Sequence, residues 1–307
     1  MDRLDALQLF TRIVELSSFS RAAETLDIPR ATVSHAIKEL EQRLGTRLLE
    51  RSTRHVRTTL DGQVFYERCV HVLSELDDAE AALRHVASNP RGVLRVDMHG
   101  THARRIVLPR IDEFRGRYPN IDLVVSSGDR SVDLVREGID CVIRAGNPRD
   151  SSLVVRRLAA MPQIVCASPE YLAYFGTPQH PGQLICHHGV KFFTDSGASN
   201  YAIELIVDGE VRNYDVGGWL SVNDAENYVV GALRGCGLIQ LPRFHVDVAL
   251  KEGRLIEVLA DWPSPALPLS ALYLYRRQLS PRVRVFVDWI GQLYEKKFGP
   301  IQVVRQA

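Results

Sequence analysis

The sequence predicts an α/β chain in two parts, and three patterns carry that prediction. Residues 4–44 repeat their apolar positions at helical spacing, residues 65–86 carry an unbroken heptad seam, and from Val93 short apolar runs alternate with helix-like segments. The expected order is a small helical head, a long connecting helix, and an α/β remainder with parallel sheet. At 307 residues the chain is long enough for two or three units with cores of their own.

In the head, Leu4, Leu7, Phe10, Ile13 and Val14 make one apolar stripe that ends before Ser17-Ser18. Phe19-Ser20 then places a hydroxyl N-cap before "RAAETL", a short helix whose Ala22-Ala23 face lets a neighbour approach closely. Asp27-Ile28-Pro29 makes a turn. A third helix follows from Arg30 to Leu44, with Val33, Ile37, Leu40 and Leu44 inward and Gly45 ending it. A short helix, a tight turn and a longer helix with a polar N-terminus form a helix-turn-helix.

The outer face of the third helix carries Arg30, Ala31, Thr32, Ser34, His35 and Lys38, with Ser20 on the preceding helix. Arg30 suits bidentate contact to guanine, the Thr32 methyl suits thymine, and Ser34, His35 and Lys38 suit base edges or phosphate. Such a stripe also fits a solvated helix face, and the next segment favours nucleic acid. Seven basic residues stand against three acidic ones from Arg30 to Arg57, in a chain whose overall charge is only +1. "LLERSTRHVRTT" reads as two short strands around a basic turn, a wing with Arg51 and Arg54 placed for the DNA backbone.

The heptad seam runs through Phe65, Cys69, Val72, Leu76, Ala79, Leu83 and Val86, too narrow a stripe for a helix lying on its own core. A dimerising helix from about Thr59 to Ala87 is expected, about 40 Å long at ~1.5 Å per residue. "SNPRG" at residues 88–92 then breaks it.

Beyond lie the strand "VLRVDM", the helix "ARRIVLPRIDEFRGRYP", the strand "IDLVVSS", the helix "SVDLVREG" and the strand "DCVIRAG". "IELIVDGEVRNYDV" is a hairpin turning at Asp208-Gly209, and a helix spans Asn223 to Arg234. "LSALYLY" and a Ser280-capped helix with Pro281 at its first position close the chain. The predicted domains are 1–60, a linker at 61–89, and 90–307. The last divides into lobe one, residues 90–161 and 269–307, and lobe two, residues 162–268. Ligands of such two-lobed units sit in the cleft where strand ends meet helix starts.

That placement selects the cleft candidates: the turn His99, Gly100, Thr101 and His102, then Gly128 and Asp129, Arg144, Lys191 and Phe192, and Asn223 and Asp224. Solvated loops would show the same residues. Two histidines are too few ligands for a metal, and no nucleophile-base motif accompanies them, so neither metal, cofactor nor enzymatic activity is expected. Arg144 and Lys191 favour a carboxylate effector. Cys236 is either a packed small residue or a redox-sensitive thiol. Five cysteines with no CxxC spacing frame no zinc ribbon or disulfide scaffold. The acidic start "MDRLDALQLF" differs from a signal peptide, and a cytoplasmic location is expected.

The run from Leu7 to Gly62 resembles the winged helix-turn-helix of LysR-type transcriptional regulators, through Phe19, Ala22-Ala23-Glu24, Leu26, Val33-Ser34, Ile37, Leu40-Glu41, Leu44-Gly45, Arg51 and Gly62. It departs at Leu49, where phenylalanine is common, and at Pro29-Arg30, where Ser-Gln is frequent. Residues 92–298 resemble the family's co-inducer domain, akin to periplasmic binding proteins, through "LPRIDEFRGRYP", "VDLVREGIDCVIRAG", "ASPEYL" and "PRVRVFVDWI". The resemblance implies base contacts at Arg30, Thr32, Ser34 and His35, phosphate contacts at Lys38, Arg51 and Arg54, and effector contact at Thr101. It also implies double-stranded DNA with an interrupted palindrome, a small-molecule co-inducer, a homodimer assembling to a tetramer, and RNA polymerase as a partner. The alternative is a small-molecule-binding protein responding to redox or pH through Cys236 or His99 and His102.

Overall fold

Asp2 opens the first helix by accepting from the Arg3 N–H, while Asp5 accepts from the Asp2 N–H, a reciprocal cap that starts the chain cleanly. The computed structural model describes residues 2–51, 56–83, 90–128, 132–147, 153–193, 199–200, 202–275 and 279–300. They fall into two units, divided between Val93 and Leu94.

In the head, α1 (Arg3–Leu16) buries Leu9, Phe10 and Ile13. Helix α2 (Phe19–Thr25) is capped by Ser18, whose hydroxyl accepts from the Arg21 N–H. The expected cap Ser20 instead sits inside the first turn, because the chain is already helical at Phe19. Helix α3 (Arg30–Leu44) ends at Gly45 in the left-handed conformation, φ 72°. Val33, Ala36, Ile37 and Leu40 face inward, whereas Leu44, expected inside, is 39% exposed in the last turn. Strands β1 (Leu49–Arg51) and β2 (Val56–Thr58) pair antiparallel and form the wing.

Helix α4 (Leu60–Leu83) departs from the expected seam. The Phe65 ring packs 5.5 Å from Phe10, and Cys69 is buried in the head's core, its thiol pushed up to about 12 by desolvation. Two seam positions are thus used inside the protomer, because α1 lies against this end of α4. Val72 is exposed and Leu76 half-buried, so an outward seam starts only there. The side chains of Ala79 and Leu83, and all of Val86, lie outside the described residues.

The second unit has one five-stranded sheet, ordered β4 (Ile121–Ser127), β3 (Gly92–Met98), β5 (Cys141–Ala145), β15 (Leu267–Leu274), β6 (Leu153–Met161). Strands β3 and β5 are parallel, but β15 runs antiparallel to both its neighbours, so the expected parallel sheet is mixed. Helix α11 (Pro281–Phe298) covers it and buries Phe286, Trp289, Ile290 and Tyr294 against Leu94, Val96, Met98 and Ile143. Ser280 stands at its N-cap without making the expected cap bond.

The long helix expected after β3 is broken. It comprises α5 (Gly100–His102), a five-residue π-helical segment at Ala103–Val107, a 3₁₀ turn at Leu108–Arg110, and α6 (Ile111–Arg117). Pro109 has no N–H to continue the ladder. Similarly, "SVDLVREG" contributes only α7 (Leu134–Glu137), capped by Asp133.

Pro162 leads into a second sheet, in which β7 (Gln163–Ala167) runs between β13 (Ile239–Pro242) and β14 (Ile256–Val258), antiparallel to both. Around it lie α8 (Pro169–Phe175), β8 (Lys191–Phe193), β9 (Ser199–Asn200), β12 (Ser221–Val222), α9 (Ala225–Leu233) and α10 (Asp247–Lys251). Strands β10 (Ala202–Val207) and β11 (Glu210–Asp215) form the expected hairpin, with Asp208 and Gly209 both at positive φ. The chain returns at Pro265–Leu267, beside its outward crossing: Leu267 faces Met161, and Gln163 Nε2 donates to the Pro265 carbonyl at 2.9 Å.

Candidate functional site

The head exposes Arg30, Ala31, Thr32, His35 and Lys38 on α3, while Ser34 and Ser20 are half-buried. Pro29 makes no side-chain cap, so the first-turn N–H groups of this 15-residue helix keep their pull on anions. His35 is held 3.6 Å from Glu39, one turn on. Arg51 ends β1, but its side chain and the whole of Arg54 lie outside the described residues.

Three residues given no role by the sequence reading brace the wing against α3. Glu41 Oε1 accepts from the N–H groups of Leu48 (2.8 Å) and Leu49 (3.1 Å). The Thr59 hydroxyl donates to the Arg47 carbonyl at 2.7 Å and accepts from Gly62 N–H. A Cβ on Gly62 would stand 1.9 Å from the Leu48 carbonyl oxygen, so only glycine fits.

In the second unit, Thr101 is 2% exposed, and its hydroxyl donates to Glu226 Oε1 at 3.1 Å. Arg104 places its guanidinium 3.1 Å from the same oxygen. It folds back over Gly100, where a Cβ would lie 3.0 Å from Arg104 Nη1. Thr101 and Arg104 come from the segment after β3, beside the five-stranded sheet, whereas Glu226 comes from the first turn of α9, beside the second sheet. Arg105 adds a second tie, donating to the carbonyls of Phe244 and His245. These attractive groups hold Glu226 below the usual carboxylate range, against a desolvation that works the other way.

His102 lies behind this seam, 2% exposed, with Nδ1 2.8 Å from the Tyr294 hydroxyl. Its ring lies 6.0 Å from those of both His99 and His245 and 5.2 Å from Phe244. Burial, then the two neighbouring histidines, push its pKa well below 6.5, and burial pushes Tyr294 upward. The pair is therefore a neutral imidazole against a neutral phenol at pH 7. His99 occupies the N-cap position of α5 without capping it through its side chain.

The remaining cleft candidates separate. Arg144, expected to receive an effector carboxylate, is ion-paired with the buried Asp97, which also accepts from the Ser126 hydroxyl. Gly128 N–H donates to the Met98 carbonyl, and Asp129 lies outside the described residues. Lys191 and Phe192 lie on β8 beside β12, and the Phe192 ring packs edge-on against Tyr228, 5.5 Å away. Asp224 is the N-cap of α9, accepting from the N–H groups of Glu226 and Asn227, with Asn223 exposed before it. Cys236 is half-buried against the core cluster that holds Ile164, Ile239 and Leu241.

Sequence reasoning missed Arg104, Glu226, His245 and Tyr294. Arg104 had a local signal, since it stands three residues after Thr101 on the same helix face. Glu226 and Tyr294 had none, lying 125 and 192 residues from their partners.

Comparison with known proteins accounts for both units. Residues 4–63 match the model of the bacterial regulatory helix-turn-helix of the LysR family, and residues 87–295 match the LysR substrate binding domain. The HTH-type transcriptional regulator YhjC of Escherichia coli is 41% identical over 291 residues, covering 95% of this chain and 97% of its own. An HTH-type transcriptional repressor of Pseudomonas aeruginosa is 36% identical, covering 96% and 93%. Among solved structures, the regulator CrgA of Neisseria meningitidis superposes with a TM-score of 0.57 at 35% identity, covering 94% of this chain and 97% of that one.

Proposed function

The chain belongs to the LysR-type family of DNA-binding transcriptional regulators with an effector-binding domain, and from that premise we propose how its parts are used. Residues 1–60 read an interrupted palindrome in double-stranded DNA. Arg30, Ala31, Thr32, Ser34 and His35 approach base edges, and Ser20, Lys38, Arg51 and Arg54 approach phosphates. The linker at 61–89 pairs two protomers through its outward positions from Val72 onward, and pairs of dimers form a tetramer. Residues 90–307 take a small molecule between lobe one (90–161 and 269–307) and lobe two (162–268). Its contacts are His99, Gly100, Thr101, Arg104 and Glu226, with Gly128, Asp129, Lys191, Phe192, Asn223 and Asp224 around them. Arg144 braces Asp97. The protein works in the cytoplasm, where promoter DNA and RNA polymerase are.

The observation that carries this reading is the uncapped N-terminus of α3, with Arg30, Thr32 and Lys38 exposed beside a wing braced by Glu41 and Gly62. A gel-shift series with the DNA upstream of the protein's own gene and a scrambled duplex tests it. Arg30→Ala should narrow the gap between the two duplexes by about 1–3 kcal/mol, whereas Lys38→Ala should weaken both alike and reduce the salt dependence by about one ion. Equal losses on both duplexes for Arg30→Ala would remove the base-reading assignment. Cys236, on which the rival redox reading rests, is a half-buried free thiol packed against the cluster of Ile164, Ile239 and Leu241.

A further inference from the structure

The seam between the two lobes holds a carboxylate that belongs to the protein. Thr101 Oγ1 and the Arg104 guanidinium, both from the turn after β3, converge on one oxygen of Glu226, each 3.1 Å away. Of the three groups only Thr101 is buried. Thr101 is 2% exposed, and a buried hydroxyl must hold a partner. The Arg104 guanidinium folds back over Gly100, its Nη1 3.0 Å from where a Cβ would stand. Arg104 and Glu226, by contrast, are flexible side chains 58% and 42% exposed, with Glu226 reaching in from α9. An ion pair this open to solvent is readily exchanged.

The neighbouring cations are engaged elsewhere. Arg105 donates to two backbone carbonyls, and Arg144 is paired with Asp97. The N-terminal turn of α9 is occupied by its own cap, Asp224. A fork of guanidinium donors beside a hydroxyl matches a carboxylate in shape and charge, which a phenol or an amine does not.

We propose that Glu226 is a tethered stand-in for the carboxylate of the effector, so that an effector of the carboxylate class binds by displacing Glu226 from Arg104 and Thr101. This rests on the effector-cleft reading above and names its ligand chemistry and its competitor. Displacement leaves both donors satisfied but removes the contact that ties α5 to α9 across the seam. Binding therefore carries a different preference for the placement of the two lobes, which is what a signal requires.

The test uses full-length protein and sodium acetate as the probe, exchanged for sodium chloride at constant ionic strength. The chain's three tryptophans, Trp219, Trp262 and Trp289, all lie beyond Leu94, so fluorescence-detected melting follows the unit that holds the site. Glu226→Ala should show a saturable rise of about 3 °C at tenfold over half-saturation. The unsubstituted protein should need at least tenfold more acetate for the same rise. The double variant Arg104→Ala/Glu226→Ala should show none, and methylammonium chloride should raise neither. Should Glu226→Ala fail to fold, Glu226→Gln, which keeps an acceptor for Thr101 and drops the charge, takes its place in the same titration. An acetate response equal in single variant and unsubstituted protein, or undiminished in the double variant, overturns the proposal. A gel shift on the same samples is read separately: failure of the unsubstituted protein to prefer the upstream duplex over the scrambled one counts against the DNA-reading assignment and leaves the acetate result standing.

Discussion

The two units hold their working residues in opposite ways. On the head, five of the residues proposed for DNA, Arg30, Ala31, Thr32, His35 and Lys38, stand exposed within nine residues of one helix. In the second unit, the polar groups already have partners from distant segments: Thr101 with Glu226, His102 with Tyr294, Asp97 with Arg144. The difference follows from solvation. A charged side chain on an open surface is satisfied by water until DNA arrives, whereas a donor in a narrow seam must find an acceptor within the protein. A surface of the first kind is used by adding contacts, and a cleft of the second kind by exchanging them.

The sharpest way to break this comparison is to damage one unit and read the other. Gly62→Ala would drive a methyl into the Leu48 carbonyl at 1.9 Å, and Gly218→Ala would do the same at the Gly189 carbonyl, also at 1.9 Å. Neither obstacle is a movable side-chain tip, so each should cost about 3 kcal/mol or more, the upper end for overpacking. Gly62→Ala is expected to abolish specific DNA binding with the tryptophan-detected transition unchanged, and Gly218→Ala to lower that transition. Equal shifts of the tryptophan signal in both would show that the units do not fold independently.

A smaller effect probes the interior of the cleft. Tyr294→Phe removes the hydroxyl at His102 Nδ1 and leaves a buried polar atom without its partner. A loss of about 1–3 kcal/mol is expected in urea unfolding followed by tryptophan fluorescence. His102 also sets a pH dependence. Its folded pKa is depressed, so the unfolded chain binds the proton first. The contribution is fully present above about 6.5, the unfolded value, and is lost as pH falls from there toward the folded value. The urea midpoint of His102→Gln should therefore fall less between pH 7.5 and pH 5.5 than that of the unsubstituted protein. A parallel fall in both would assign the acid sensitivity to other groups, among them His187, whose pKa is also depressed by burial.

The smallest effect belongs to the open surface. Arg12 and Glu15 are paired at 3.0 Å with both side chains about two-fifths exposed. Arg12→Ala should cost no more than about 0.5 kcal/mol in chemical unfolding of the head. A larger loss would mean that exposed pairs on this unit are less solvated than their accessibility implies.

What was legible in advance was local. Helix α3 from Arg30 to Leu44, its stop at Gly45, and the hairpin at Asp208-Gly209 follow from backbone preferences that a few neighbouring residues decide. The heptad pattern located α4 correctly but did not say which neighbour each position meets, and Phe65 and Cys69 meet α1 rather than a second chain. Arg144 was chosen for its charge and place at a strand end, yet Asp97 claims it across the sheet. The sequence by itself thus determined the recognition helix, the wing and the succession of strands and helices, because periodicity, caps and turn residues act within a few positions. Only the tertiary structure decided that Glu226 closes on Arg104 and that burial beside Tyr294 keeps His102 neutral. Those pairings depend on buried groups finding partners across more than a hundred residues, and nothing short of the packed chain brings them together.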